Sequence, residues 1–579
     1  MKVKASMTDL RYQELVQDFE AGNISRRQFL SRAVALGAGA IAASTLLSGS
    51  ASAAPQASGR ALSAANQTDP TTLIIVDNLP ANSWLYLDPG RIYEVNDQAA
   101  QNLIYETLYH IPDGSQLANI EPLGAIELPV MSADGLTATI ALRPGVKFHN
   151  TGNICTAADW VWSFERLVNL KGNASFLFSD FFEKATAIDD NTLELKLLTP
   201  NAALIGILTS AALGVMDSKA GVEHGGSNAA DADTTDTLTD WINEGNSLGT
   251  GPYKLTAWDV NGEVVLEPTG DYYGEAPTFS KIIWRNVADL NTQLQLLETG
   301  EVDLAYAVDP DSYESAASNE NLQIIEGPSL AYEYLALNVT EEVGGALANK
   351  AVRQAIAAAI DYDGIIEGLL AGAGVRPATV VPVGLLGEDL VNAKKVVTDV
   401  AKAQELFDSS GLGEASIKLT FDAGGISPGG VDREILASKL QSDLQQINGL
   451  TVELVPMDPT QRLADFRAGK LQFVMSSWAP DYADVHTYAQ PFGQTGGAAA
   501  KRVGYSNSTV DGLLDQAIVE ADVAKRADLY AQVQEILIDE VPFIVEFQPT
   551  YRFPAAKTVT GVTPQGLVII QLRYASKTA

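Results

Sequence analysis

Cysteine is nearly absent. Cys155 is the only one in 579 residues, so no disulfide can form within the chain, and the expectation is a buried, inert thiol. Histidine is scarce: His110, His149, His224 and His486, no two at the spacing of a helical zinc motif. Basic residues number 38 against 72 acidic ones, a net charge of −34. That charge excludes nucleic acid and anionic lipid surfaces as partners. No apolar run reaches the ~20 residues of a membrane-spanning helix. There is no phosphate loop and no dinucleotide fingerprint. A hydrolase elbow pattern does occur, Gly425-Ile426-Ser427-Pro428-Gly429. An elbow needs the backbone N–H after its serine, and Pro428 has none. The residues imply neither cofactor nor metal. What remains, 46% hydrophobic residues and a mean hydropathy of +0.03, is the composition of a folded protein. At ~150 residues per unit the length predicts three or four units.

The first 53 residues read as a processing segment. Ser25-Arg26-Arg27-Gln28-Phe29-Leu30 is similar to the twin-arginine export motif, with Arg26 and Arg27 as its pair. A weakly apolar stretch, Ala33 to Leu47, follows, and Ala51-Ser52-Ala53 offers a small-x-small site for cleavage between Ala53 and Ala54. Within the first 53 residues no cysteine follows the apolar stretch, so no lipoprotein anchor is expected. Residues 54–69 read as a linker rich in Ala, Ser, Gln and Gly.

Periodicity predicts a mixed α/β fold. Thr71 to Val76 reads as a buried strand. Leu136 to Leu142 and Thr192 to Leu197 alternate as half-buried strands. Thr156, with Asp159 three residues on, caps a helix whose apolar face is Val161, Phe164, Leu167 and Val168. Asn349 caps another, and Val431–Ile447 and Val510–Val541 are helical patterns. Residues 218–248 read as a solvated acidic surface loop. The cluster Asp231, Asp233, Asp236 lacks the glycine and distal glutamate of a calcium loop.

Several segments then resemble, in order, the peptide/nickel-type solute-binding proteins of ABC importers, the family of the oligopeptide and dipeptide receptors. They are Leu87-Asp88-Pro89 with Ile104-Tyr105-Glu106-Thr107-Leu108; Leu142-Arg143-Pro144-Gly145-Val146-Lys147-Phe148-His149; and Thr156-Ala157-Ala158-Asp159 with Ser163-Phe164-Glu165-Arg166. After them come Gly249-Thr250-Gly251-Pro252-Tyr253, Asp271-Tyr272-Tyr273-Gly274, Gly300-Glu301-Val302-Asp303, Val352-Arg353-Gln354-Ala355, Trp478 with Asp481-Tyr482, and Val541-Pro542. The resemblance implies a two-lobed clamshell with an extra inserted subdomain and two hinge-crossing strands, near Ile324–Tyr334 and Val541–Gln548. On that pattern lobe I is 70–100, 246–328 and 541–579, the insertion is 101–245, and lobe II is 329–540. It also implies an exported monomer, at the periplasm or outer face of the membrane. Such a receptor captures a peptide-like or other small solute and passes it to permease subunits. The twin-arginine machinery would export it.

Leu471 to Trp478 reads as a strand, and ligands of open α/β sheets sit at such carboxyl ends. The resemblance assigns Asp481 to the ligand's α-ammonium, Trp478 and Tyr482 to the pocket, and the backbone of Tyr93-Glu94-Val95 to main-chain contacts. A carboxylate in a water-poor cleft gains strongly from a cation, and an indole face adds attraction. Family members often continue Asp-Tyr-x-Asp-Pro; here the run is Asp481-Tyr482-Ala483-Asp484-Val485. Asp481, Asp484 and His486 also suit a metal by residue type, but loop packing is the favoured reading. Two other readings stay open: a secreted hydrolase, for which no nucleophile and base can be assigned, and a ligand sensor without transport.

Overall fold

The computed structural model describes residues 69–77, 87–92, 95–112, 119–259, 262–306, 312–567 and 569–578. Arg26, Arg27, Ala53, Ala54, Tyr93 and Glu94, with the side chain of Val95, lie outside the described residues.

One mixed sheet runs through both lobes. Its spine is the 14-residue strand Phe543–Ala556, about 45 Å long at ~3.3 Å per residue. Phe543 to Phe547 pair antiparallel with Tyr332–Leu337 in the second lobe. Gln548 and Pro549 pair with the short strand Gly374–Val375. Thr550 to Ala556 pair with Leu322–Pro328, and Ala555 also with Leu304 of the first lobe. The two chain crossings are therefore this strand and the segment Leu322–Pro328, Ser329-Leu330-Ala331, Tyr332–Leu337. The linker Ser329-Leu330-Ala331 is held by side chains: Gln548 Nε2 donates to Ser329 O at 2.6 Å and Tyr488 OH to Leu330 O at 2.7 Å.

In the first lobe Thr72–Asp77 pairs parallel with Lys281–Asn286 and with Leu304–Ala305. A strand buried on both sides needs apolar residues at nearly every position, and Leu73, Ile75 and Val76 are fully buried. The C-terminal segment returns to this lobe, where Val559, Ile570 and Leu572 join Leu73 and Trp284 in one core. In the second lobe Ala415–Asp422 lies between the parallel strands Leu450–Met457 and Phe473–Trp478. That sheet separates two cores, one around Ile356, Phe407 and Leu440, the other around Tyr334, Tyr488 and Phe492.

The inserted region carries its own four-stranded antiparallel sheet, in the order Val130–Met131, Thr137–Ala141, Thr192–Leu197, Phe182–Asp189. Ala138 and Ile140 face inward, as the alternation predicts. The helix Ala157–Asn169 starts where expected: the Asp159 carboxylate accepts from Thr156 N at 2.8 Å and Thr156 Oγ1 at 3.0 Å. Rings of Trp160, Phe164, Phe178 and Phe182 form a chain with centroids 4.7–5.9 Å apart beneath it.

Two expectations need correction. Residues 218–248 are not a solvated loop. They form the helical turns Ser218–Glu223, Ala232–Thr235 and Leu238–Ile242, packed on the subdomain. Asp236, taken as surface acid, is buried because the Arg166 guanidinium reaches it at 2.8 Å. The helical pattern over 510–541 is two helices, Ser508–Val519 and Val523–Glu540, because Asp522 caps a new start by accepting from Ala524 N and Lys525 N. No helix among the described residues is long and apolar enough to cross a membrane. Cys155 is buried, and burial pushes its thiol well above the usual range.

Candidate functional site

The strand Phe473–Trp478 ends at a cavity of about 290 Å³. One wall is Ser477, Trp478, Ala479, Pro480 and Asp481. The other comes from Ile92, Gln98, Ala174, Leu177, Ser210 and Ala212. Trp478 and Asp481, predicted from the sequence, are thus brought together. The residues facing them were not predicted; apart from Gln98 they are small or apolar, and they carry no motif.

Local chemistry holds the loop in place. The half-buried Trp478 sets its ring edge-on to Phe492 at 5.0 Å, and its Nε1 donates to Thr487 O at 3.4 Å. Asp481 N donates to Thr487 Oγ1 at 3.1 Å, and that hydroxyl donates back to Asp481 Oδ2 at 3.5 Å. Asp484 takes a bidentate pair from Arg526, at 2.8 and 2.7 Å, and accepts from His486 N at 2.8 Å. His486 Nδ1 lies 3.0 Å from Tyr530 OH. Burial pushes His486 down to about 4, against the pull of Asp484, so the ring is neutral at pH 7. Asp484 and His486 are occupied in packing, and no group of residues among those described could hold a metal.

Tyr482 turns away from the cavity. It is buried against the inserted region, edge-on to Phe181 at 5.7 Å, in the same core as Phe164 and Phe178. Two more contacts tie the insertion to the second lobe. Ala202 N donates to Ile518 O at 2.7 Å. Gly206 passes so close to Ala483 that a Cβ there would stand 2.4 Å from the carbonyl oxygen. Ile92, next to the expected main-chain segment, lines the cavity.

A second cavity, about 250 Å³, lies beside the crossing strand, lined by Tyr306, Tyr313, Ser427, Tyr551, Arg552 and Phe553 among others. Arg552 pairs with Glu326 at 2.8 Å and lies over the Tyr313 ring. The Ser427 hydroxyl of the elbow pattern accepts from Val431 N at 3.2 Å, a turn contact.

Behind the first wall lies a buried ion cluster. Arg433 donates to both Glu333 oxygens, at 2.8 and 3.0 Å, to Asp422 Oδ2 at 2.5 Å and to Ser477 Oγ at 3.3 Å. Arg462 closes on Asp422 from the other side. Glu546, at an irregularity in the pairing with Glu333 and Tyr334, is fully buried with no hydrogen-bond partner for either oxygen.

Comparison with known proteins places this architecture. Residues 119–500 match the bacterial extracellular solute-binding proteins, family 5, in their middle region. The dipeptide-binding protein DppE of Bacillus subtilis is 28% identical over 481 residues, 77% of this chain and 82% of that protein. The glutathione-binding protein GsiB of Pectobacterium atrosepticum is 28% identical over 496 residues, 83% of this chain and 90% of that protein. Among solved structures, the periplasmic binding protein DppA of Helicobacter pylori, in complex with the peptide STSA, superposes with a TM-score of 0.71 at 22% identity. That match covers 88% of this chain and 98% of the other. With a family match over more than half its length, the chain belongs to the bacterial extracellular solute-binding proteins, family 5.

Proposed function

We propose that this protein is the extracytoplasmic substrate-binding component of an ABC importer and encloses a peptide-like solute between its lobes by hinge closure. The observation that carries the reading is the cavity between the strand-end loop of the second lobe and the facing wall, with Asp481 and Trp478 on its lining. Asp481 supplies the counter-charge for a ligand ammonium and Trp478 an indole face beside it. Tyr93, Glu94 and Val95 complete the pocket through their backbone, and Tyr482 acts by fixing the loop against the insertion. The lobes divide as 70–100, 246–328 and 541–579 against 329–540, with 101–245 inserted. The pairing of dipeptide and glutathione receptors with this chain supports a peptide-like ligand and delivery to permease subunits. Export by the twin-arginine route, with cleavage between Ala53 and Ala54, and a monomeric mature form belong to the same reading. The protein carries a ligand without changing it.

The test is Asp481→Asn in calorimetric titration with a panel of di- and tripeptides. Affinity should fall by about 2 kcal/mol or more, because one partner of a desolvated charge pair is lost. Unchanged affinity removes Asp481 from the site. Native mass spectrometry of the purified protein should show a bound small molecule with its mass intact.

A further inference from the structure

The second cavity has walls from both lobes. Tyr306 and Tyr313 come from the first, the loop Ile426 to Gly430 from the second, and Thr550 to Phe553 of the crossing strand line it between them. Both facing walls follow parallel strands. Ala415–Asp422 leads to the loop Ile426 to Gly430 and is the parallel neighbour of Phe473–Trp478, whose end opens on the first cavity. Tyr306 directly follows Leu304–Ala305, which pairs parallel with Thr72–Asp77. In the second lobe the two cavities therefore share the carboxyl edge of one sheet, the edge at which open α/β folds hold their ligands.

The lining of the second cavity is aromatic. Tyr306, Phe553 and Tyr551 follow one another with ring centroids 5.4 and 6.0 Å apart, and Arg552, paired with Glu326, lies over the Tyr313 ring at 5.7 Å. Ile426 is 57% exposed on this lining, an apolar side chain that gains from being covered. Ile569, also on the lining, holds φ at +64°. A β-branched residue keeps that conformation only where its surroundings enforce it, and such strain collects at ligand sites. A flat apolar ring suits these walls, because it stacks on the aromatic faces and lies against a guanidinium already fixed in place.

The strand register sets the separation of the two cavities. Trp478 pairs with Tyr332, and the next residue, Glu333, pairs with Phe547, so two strand spacings of ~4.8 Å separate Trp478 from the crossing strand near Gln548. Thr550 to Phe553 lie two to five residues further along, at ~3.3 Å each, which puts the two walls roughly 12–19 Å apart. An extended peptide advances ~3.3–3.6 Å per residue, so about four or five residues cover that span. Resting on the reading that Asp481 faces the ligand's ammonium, we infer that the second cavity takes an aromatic side chain of the same peptide, at its fourth or fifth residue. A dipeptide ends before this pocket, so the cargo is longer than the one named for the Bacillus subtilis relative.

The experiment is calorimetric titration of the ligand-free protein with Leu-Gly, with Leu-Gly-Gly-Gly-Gly, and with the four pentapeptides that carry Phe in place of one Gly, at position two, three, four or five. The expected result is binding at least about tenfold tighter with Phe at position four or five than at position two or three. Thr550→Trp builds an indole into the cavity from a half-buried position on the crossing strand, and it should lower that preference at least about fivefold. Ile426→Ser, at an exposed position, should lower it about threefold and carries the test if Thr550→Trp does not fold. A preference that peaks before position four, or no preference, overturns the inference and leaves a peptide receptor standing. A preference at four or five that neither variant lowers places the aromatic pocket elsewhere and overturns it as well. If Leu-Gly binds and no pentapeptide does, the ligand ends short of this cavity and only the inference falls. If no peptide binds, in a protein that retains a non-peptide small molecule, the peptide-like reading beneath it falls too.

Discussion

Arg166 in the first half of the chain and Arg433 in the second both sit among buried carboxylates, and each cluster holds one more acid than base. Arg166 faces Asp88 and Asp236; Arg433 and Arg462 face Glu333, Asp422 and Glu546. The outcomes differ. Asp88 receives two bonds from Arg166, both 2.7 Å, one from Thr239 Oγ1 at 2.6 Å and one from Gly90 N at 2.9 Å. Burial pushes its carboxyl up, but the guanidinium and these donors outweigh burial and hold it below the ordinary value. Asp236 has the backbone N–H groups of Ser227 and Leu238 as well as Arg166. Glu546 has no donor at all. Burial, reinforced by Glu333 and only partly opposed by Arg433, pushes its carboxyl well above the ordinary value. An excess negative charge in a protein interior survives where N–H and O–H groups point at it, and otherwise takes up a proton.

Three substitutions break or sharpen this contrast. Arg166→Met leaves two carboxylates buried without their cation. It should cost about 3–5 kcal/mol in urea unfolding at pH 7, by far the largest effect. A loss under 1 kcal/mol would mean that the backbone donors alone suffice. Next is Glu546→Gln, which removes the proton the folded state must hold. A group with a raised folded value contributes most below the unfolded value, 4.5 here, and its contribution declines as pH rises toward the folded one. The variant should therefore match the wild type near pH 4.5 and exceed it by about 2 kcal/mol at pH 7. A gap independent of pH would show that Glu546 is ionised when folded. Asp88 runs the opposite way. Its depressed value gives stability above pH ~4 that is lost as acid titrates it in the folded state. The smallest effect is on one donor: Thr239→Val should cost about 1.5 kcal/mol at pH 7 and progressively less toward pH 3, followed by thermal unfolding.

The same contrast explains what was legible in the sequence. The architecture was carried by local rules that hold in any context: the Thr156–Asp159 box, the alternation at 137–141, and apolar Leu73 to Val76 in a strand covered on both sides. That Trp478 and Asp481 line one cavity was legible because a strand end and the family's spacing pointed at one loop. Ala174, Leu177, Ser210 and Ala212 were not, because nothing in a small residue announces the wall it will form once an inserted region folds over. Asp236 and Glu546 were equally silent. Whether an acid is solvated, paired or protonated depends on groups 70 or more residues away, as with Asp236 and Arg166. The 510–541 pattern was over-extended because Asp522 is a cap residue between two stretches that both keep a helical apolar spacing.

One position bears on how the halves meet. At residue 206 the inserted region comes to rest against the backbone of residue 483 with nothing but hydrogen on its α-carbon. The fit there is set by the lack of a side chain, so it asks nothing of rotamers and freezes no torsions when it forms. A contact of this kind can be made and unmade many times at little entropic cost, and its width is fixed to within an atomic diameter by the bare main chain on either side.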